Sequence, residues 1–211
     1  MDYNFTELRD ALRREGRYNP DASTIDLLLE NGTPVKFKKK ALIVAPGQIE
    51  TDVYVIISGI VRVASFDGTK EHTFGFGSTG TFLLSPLGFF SGSPAFYYFE
   101  ACEDCVLLRF SKQKFTELTK QSHDFACWML QISIGQIHST ENKAALLQGS
   151  AKEKILAFLS NYGKRELNKK NPQYIKQVLR LPAKLLASYL GITPEYFSNI
   201  RKEIRKSEKS K

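Results

Sequence analysis

The sequence predicts an α+β protein: an N-terminal antiparallel β-roll with flanking helices, one long helix, and an all-α unit at the C-terminus. Three observations predict it. From Pro34 to Phe110 the chain is a series of short pieces rich in Val, Ile, Tyr and Phe, broken by glycine. After Ser111 apolar residues recur at helical spacing. The last third is basic and holds two short amphipathic patterns around Gly191, in LLASYLGITPEYFSNIRKEI.

The elements follow in order. In FTELRDALRREG, Phe5, Leu8 and Leu12 keep helical spacing and Gly16 ends the run. Residues 23 to 31 predict a second helix, capped by Asp21 or Ser23, with Ile25, Leu28 and Leu29 as its apolar side. The β-rich pieces come next, with turns such as Asp67-Gly68. KQKFTELTK is a short helix. Residues 121 to 148 then form one long helix. Phe125, Met129, Ile132, Gln136, Ser139, Lys143 and Leu146 step along one stripe, and Leu130, Ile134 and Ile137 lie on a neighbouring one. The breadth of this apolar face predicts packing on the chain's own domain and on a partner helix. Phe125, Met129, Ile132 and Gln136 are the expected dimer contacts. Ser150-Ala-Lys-Glu153 is a capping box that starts a helix ending at Gly163, and 164 to 173 read as a polar loop. The expected units are therefore 1–120, 121–148 and 149–211.

At 211 residues the chain has room for one or two cores. No run of eighteen apolar residues is present and the N-terminus has no apolar signal core, so a cytoplasmic protein without a membrane partner is expected. Three cysteines, Cys102, Cys105 and Cys127, are no disulfide framework. Residues 151–211 carry 15 Lys and Arg against 5 Asp and Glu, a net +10, while 1–150 carry 15 against 17, a net −2. A basic unit on a near-neutral body points to a polyanionic partner, nucleic acid first.

The terminal unit has the chemistry for that partner. Leu185, Leu186 and Leu190 turn inward on one helix, with Ala187 small enough for a close crossing. Gly191 suits the left-handed residue that ends it. Thr193 is an N-cap and Pro194 a first helical residue. The next helix buries Phe197, Ile200 and Ile204 and presents Glu195, Ser198, Asn199 and Lys202 on its other side. An apolar face opposite a hydrogen-bonding face is what a helix laid in a major groove requires. The competing reading is an ordinary helical hairpin on a basic surface.

On these residues the chain resembles the Crp/Fnr family of bacterial transcription regulators. LLASYLGITPEYFSNIRKEI looks like the family's helix-turn-helix, and SAKEKILAFL like the first helix of its DNA-binding domain. VKFKKKALIVAPGQIETDVYVIISGIVRV, Asp67-Gly68 and EACEDCVLLRFSKQKF resemble its sensor roll. The resemblance spans about residues 20 to 206 and implies a cyclic-nucleotide-binding-like jelly roll, a dimer helix and a helix-turn-helix. It carries base reading to Glu195, Ser198 and Asn199, and backbone contact to Thr193, Tyr196, Arg201, Lys202 and Arg205. It implies double-stranded DNA and a second copy of the chain as partners, and admits RNA polymerase. Two departures stand out. Asn199 stands where family members often have Arg, and the chain ends in KSEKSK where a β-hairpin wing is usual.

A third departure concerns the signal. The family's cyclic AMP site uses an Arg, which by position falls near Ala95, and a Gly-Glu pair, where this chain reads Leu84-Ser85-Pro86-Leu87-Gly88. No Lys or Arg lies between Lys70 and Arg109, so tight cyclic-nucleotide binding is not expected. Phe82, Phe89, Phe90, Phe96 and Tyr98 are candidates for a pocket taking an apolar or aromatic effector. The preferred alternative is that such aromatics fill the roll and its contact with the long helix.

Other motifs lack context. Gly75-Phe-Gly-Ser-Thr-Gly80 matches GxGxxG, but TFLLSP after it does not predict the helix a dinucleotide site needs. Cys102-x-x-Cys105 has no second pair to complete a zinc site, and in a continuous strand its sulfurs would face opposite ways. No metal, cofactor or catalytic group is expected. The alternative to a DNA-binding regulator is a ligand-binding or protein-interaction module whose basic end does not read sequence.

Overall fold

The computed structural model describes residues 5–14, 18–164 and 180–209. Helices α1 (Thr6–Arg14) and α2 (Ala22–Asn31) precede strands β1 (Thr33–Phe37), β2 (Leu42–Val44), β3 (Asp52–Ser58), β4 (Val61–Phe66), β5 (Glu71–Gly77) and β6 (Phe82–Leu83). Helix α3 (Pro86–Ser91) interrupts the roll before β7 (Tyr98–Ala101) and β8 (Cys105–Ser111). Helices α4 (Lys112–Gln121), α5 (His123–Leu147) and α6 (Ala151–Lys164) follow, then α7 (Ala183–Leu190) and α8 (Pro194–Lys209). The loop expected over 164–173 lies outside the described residues, Lys164 apart.

The strands form two antiparallel sheets, ordered β1-β8-β3-β6 and β2-β7-β4-β5. The chain passes between the sheets repeatedly, the jelly-roll connectivity that the short, glycine-broken strands predict. Between the sheets lie Ile43, Val44, Tyr54, Ile56, Val61, Phe99 and Leu107. On the outer side of the first sheet, Val53, Val55, Leu108 and Phe110 join α1, α2, α4 and α5 through Leu12, Leu28, Phe115, Phe125 and Trp128. The first sheet is thus covered on both faces. That is why β3 reads as a continuous apolar run and not as an alternation. The β4–β5 hairpin turns at Asp67-Gly68. Gly68 has φ +94, and Asp67 Oδ1 accepts from the Thr69 and Lys70 amides at 2.8 Å each.

Two expectations are corrected. Ser85-Pro86 does not exclude a helix but starts one: the Ser85 side chain caps α3 by accepting from Gly88 N at 3.2 Å, and Pro86 takes the first helical position. Cys102 and Cys105 are not in one continuous strand; they flank the turn between β7 and β8. Burial pushes their thiols up to about 12 and about 11, so neither is poised as a thiolate.

The GxGxxG segment ends in a turn at Gly80 and continues into β6, without the helix its phosphate chemistry requires. The capping box forms as expected: Ser150 N donates to Glu153 Oε2 at 2.8 Å and Glu153 N to Ser150 Oγ at 3.4 Å.

Candidate DNA-reading face and sensor roll

The reading face is built by local signals. Helix α7 closes in a Schellman arrangement, with Ile192 N donating to Ala187 O at 3.1 Å and Gly191 N to Ser188 O at 3.4 Å. Gly191 has φ +61, which a side chain would strain. Thr193 Oγ1 then accepts from Tyr196 N at 3.2 Å, capping α8. Leu186, Ala187, Leu190 and Phe197 are buried together, with Leu185, Ile192 and Ile200 partly buried against them. Burial of each large apolar side chain contributes roughly 2 kcal/mol to holding α8 on α7.

The opposite side of α8 is open. Glu195, Asn199 and Lys202 are exposed, Tyr196 is partly so and Ser198 is half-buried. Glu195, Ser198, Asn199 and Lys202 therefore share one accessible helix face, spaced 3, 1 and 3 residues apart. Thr193 is also exposed, with one lone pair committed to the cap and its hydroxyl proton free to reach a phosphate. Arg201 and Arg205 are on the α8 backbone, and their side chains lie outside the described residues, as does that of Ile204.

Helix α5 has two unlike apolar stripes. Phe125 and Met129 are buried in the chain's own core, Ile132 packs against it, and Gln136 Nε2 donates to Phe82 O at 3.4 Å. These four, expected at a dimer contact, serve the chain's own roll because Phe82, Phe115 and Trp128 pack on that side. The neighbouring stripe is the open one: Leu130, Ile134 and Ile137 are 60%, 48% and 59% exposed.

The roll does not gather the five candidate effector residues into one site, although the Phe89 and Phe90 rings meet at 5.2 Å. Phe82 and Phe89 are buried on the helix side of the first sheet. Phe90 and Phe96 are exposed. Tyr98 lies on β7, where its hydroxyl donates to Glu71 and accepts from Arg62. Arg62, 3% exposed, is a buried cation that sequence reasoning did not single out. Its neighbours Val61 and Val63 pack between the sheets, so Arg62 faces the other way. There it bonds Glu71, Glu100 and Tyr98, and it offers no charge to the interior.

Where the resemblance implies Gly-Glu, the chain brings in an acid from elsewhere. Glu50, in the β2–β3 connection, is 2% exposed and accepts from Ser85 N at 2.9 Å through Oε2; its Oε1 has no partner among the described residues. Burial pushes its carboxyl pKa up. Ala95, at the implied position of the phosphate-binding Arg, is 4% exposed. Among the described residues, no group of His, Cys, Asp and Glu is arranged to hold a metal ion, and no helix is long and apolar enough to cross a membrane.

The comparisons agree with this anatomy. The cyclic nucleotide-binding domain family matches residues 34–122. The nitrogen fixation regulation protein FixK of Azorhizobium caulinodans is 25% identical over 173 residues, covering 79% of this chain and 66% of that relative. The chain thus spans just under two thirds of that protein's length. The structure of FixK2 from Bradyrhizobium japonicum is similar with a TM-score of 0.67 at 17% identity, over 84% of this chain and 86% of that one. The c-di-GMP responsive global regulator CLP of Xanthomonas campestris is similar with a TM-score of 0.66 at 21% identity, over 89% and 93%. At these identities the two structures speak for the fold alone. Residues 34–122 thus match the cyclic nucleotide-binding domain family, and the chain is similar in sequence to a FixK regulation protein and in fold to FixK2 and CLP.

Proposed function

We propose that the protein is a DNA-binding transcriptional regulator that reads a near-palindromic site as a homodimer. The observation that carries this is α8: Glu195, Ser198, Asn199 and Lys202 on one accessible face, with Phe197 buried behind them. Glu195 is suited to accept from cytosine N4–H, Asn199 to pair with adenine, and Lys202 and Tyr196 to hold phosphates. The FixK relative is described as a regulation protein, which supports the same reading.

The second copy docks on the open stripe of α5. Leu130, Ile134 and Ile137, spaced 4 and 3, form a helical seam left open among the described residues. Two recognition helices carried on such a dimer would enter successive major grooves about 34 Å apart. Selection of random duplexes by the purified protein tests the whole reading. A two-fold symmetric site with that spacing is expected; salt-sensitive binding without sequence preference would overturn it.

The signal at the roll is not cyclic AMP. Among the described residues the space between the sheets is lined by apolar side chains, so a cyclic phosphate held there would have its charge buried without a partner. Isothermal titration with cyclic AMP and cyclic GMP is expected to give no binding at micromolar concentrations. A micromolar dissociation constant for either would sink this assignment.

A further inference from the structure

Strand β5 is one of the two edges of its sheet. An edge strand leaves backbone N–H and C=O groups without sheet partners. Here the DNA-reading unit and the long helix supply them. Thr73 N donates to Ser188 Oγ of α7 at 3.1 Å, as does the Thr73 hydroxyl at 3.1 Å, and Ser188 Oγ donates to Glu71 O at 3.1 Å. The carbonyl of Thr73 accepts from Lys143 Nζ of α5. Thr73 is 1% exposed and Lys143 is 7% exposed. The Lys143 ammonium lies 4.0 Å from the centre of the Tyr189 ring of α7 and 5.5 Å from that of Phe74 of β5. Around this junction Ile60 and Phe76 of the roll pack with Leu186, Ala187 and Leu190.

We propose that Ser188 and Lys143 form a latch that docks the helix-turn-helix on the edge of the sensor roll, and that its opening and closing decides where α8 stands relative to the dimer helix. The proposal rests on the DNA-binding reading for its consequence, not for its geometry. Two features make the contact reversible. Its hydrogen bonds satisfy groups that water would satisfy equally well once α7 moves away. Its lysine is also held in apolar surroundings, with no counter-charge bonded to it among the described residues.

That second point follows from the neighbours. On β5 the Glu71 carboxylate is engaged by Arg62 and Tyr98, and His72 by Asp67. From α7 come the Tyr189 ring and Lys184, whose charge acts on Glu71. On α5 itself, His138 lies 3.7 Å from Glu141. Burial pushes Lys143 down from 10.5 to about 7. The docked form therefore holds fewer protons than the undocked form between about pH 7 and 10.5. Docking strengthens as pH rises through this window and weakens as pH falls to 7, by about five- to tenfold per unit. Below 7 the dependence levels off.

Amide hydrogen exchange on the full chain tests the latch without DNA. Ser188→Ala is expected to speed exchange in β5 about tenfold while β3 and β8 stay protected, which also certifies a folded roll. Unchanged β5 exchange would overturn the proposal. Protection of β5, corrected for intrinsic exchange, is expected to rise between pH 7 and 9 in the wild type and to be flat in Lys143→Met; equal slopes would remove Lys143 from the latch. On a selected DNA site, Ser188→Ala is expected to change affinity about threefold with the same preferred bases, a shift of about 0.65 kcal/mol. No change in affinity would leave a structural contact and overturn its regulatory role. Failure to select any site would instead count against the DNA-binding reading and leave the exchange result standing.

Discussion

Ile134→Glu is expected to turn the protein into a monomer at micromolar concentrations. Ile134 sits at the middle of the open α5 stripe, half exposed in the single chain, so the substitution leaves the chain's own core intact. In the dimer it would set two carboxylates near each other in an apolar seam, at a cost of several kcal/mol. Sedimentation equilibrium is expected to give half the wild-type mass. Affinity for a two-fold symmetric site should fall by about a hundredfold or more, because the second half-site no longer benefits from the first. Ser139→Glu, exposed on the far side of the same helix, is the control and should behave as wild type. A dimeric Ile134→Glu protein would place the interface elsewhere.

Asn199→Ala is expected to relax selectivity at one base pair of each half-site. A bidentate amide–adenine pair discriminates by about 1–3 kcal/mol, so the preference should drop by roughly five- to 150-fold there and remain elsewhere. Lys202→Ala offers the contrast: a uniform loss across sequences and a salt slope shallower by about one. Titration of both variants against the selected site and its single-base variants separates the two effects. If Asn199→Ala weakened every sequence equally, the side chain would be a phosphate contact and the operator would be read by Glu195 and Ser198.

The C-terminal helical pair was the most legible part of the chain because its signals are local. Gly191 at a positive φ, Thr193 as cap and Pro194 at the helix start act within a few residues. The capping box at Ser150 and the turn at Asp67-Gly68 are legible for the same reason. Helix α3 was not, because a serine–proline pair is read as a break unless the proline is recognised as a first helical residue. The candidate effector aromatics were misleading as a set. Clustered along the chain, they fall on strands, on helix α3 and in the connection to β7, leaving Phe89 buried and Phe96 exposed.

The sequence by itself determined the order of the parts: a β-roll, a long helix and a basic helical pair with one polar and one apolar face. Hydrophobic period, caps and turn residues are short-range properties, and they suffice for that order. Only the tertiary structure decided which stripe of α5 is open, since both are apolar and the position of Phe82, Phe115 and Trp128 picks the covered one. Only it turned Arg62 away from the space between the sheets and brought Glu50 to Ser85. It also brought Ser188 and Lys143 to the edge of β5, across 115 and 70 residues from Thr73. No local pattern encodes such contacts, because they depend on which backbone groups a sheet leaves unpaired and which distant side chain arrives to satisfy them.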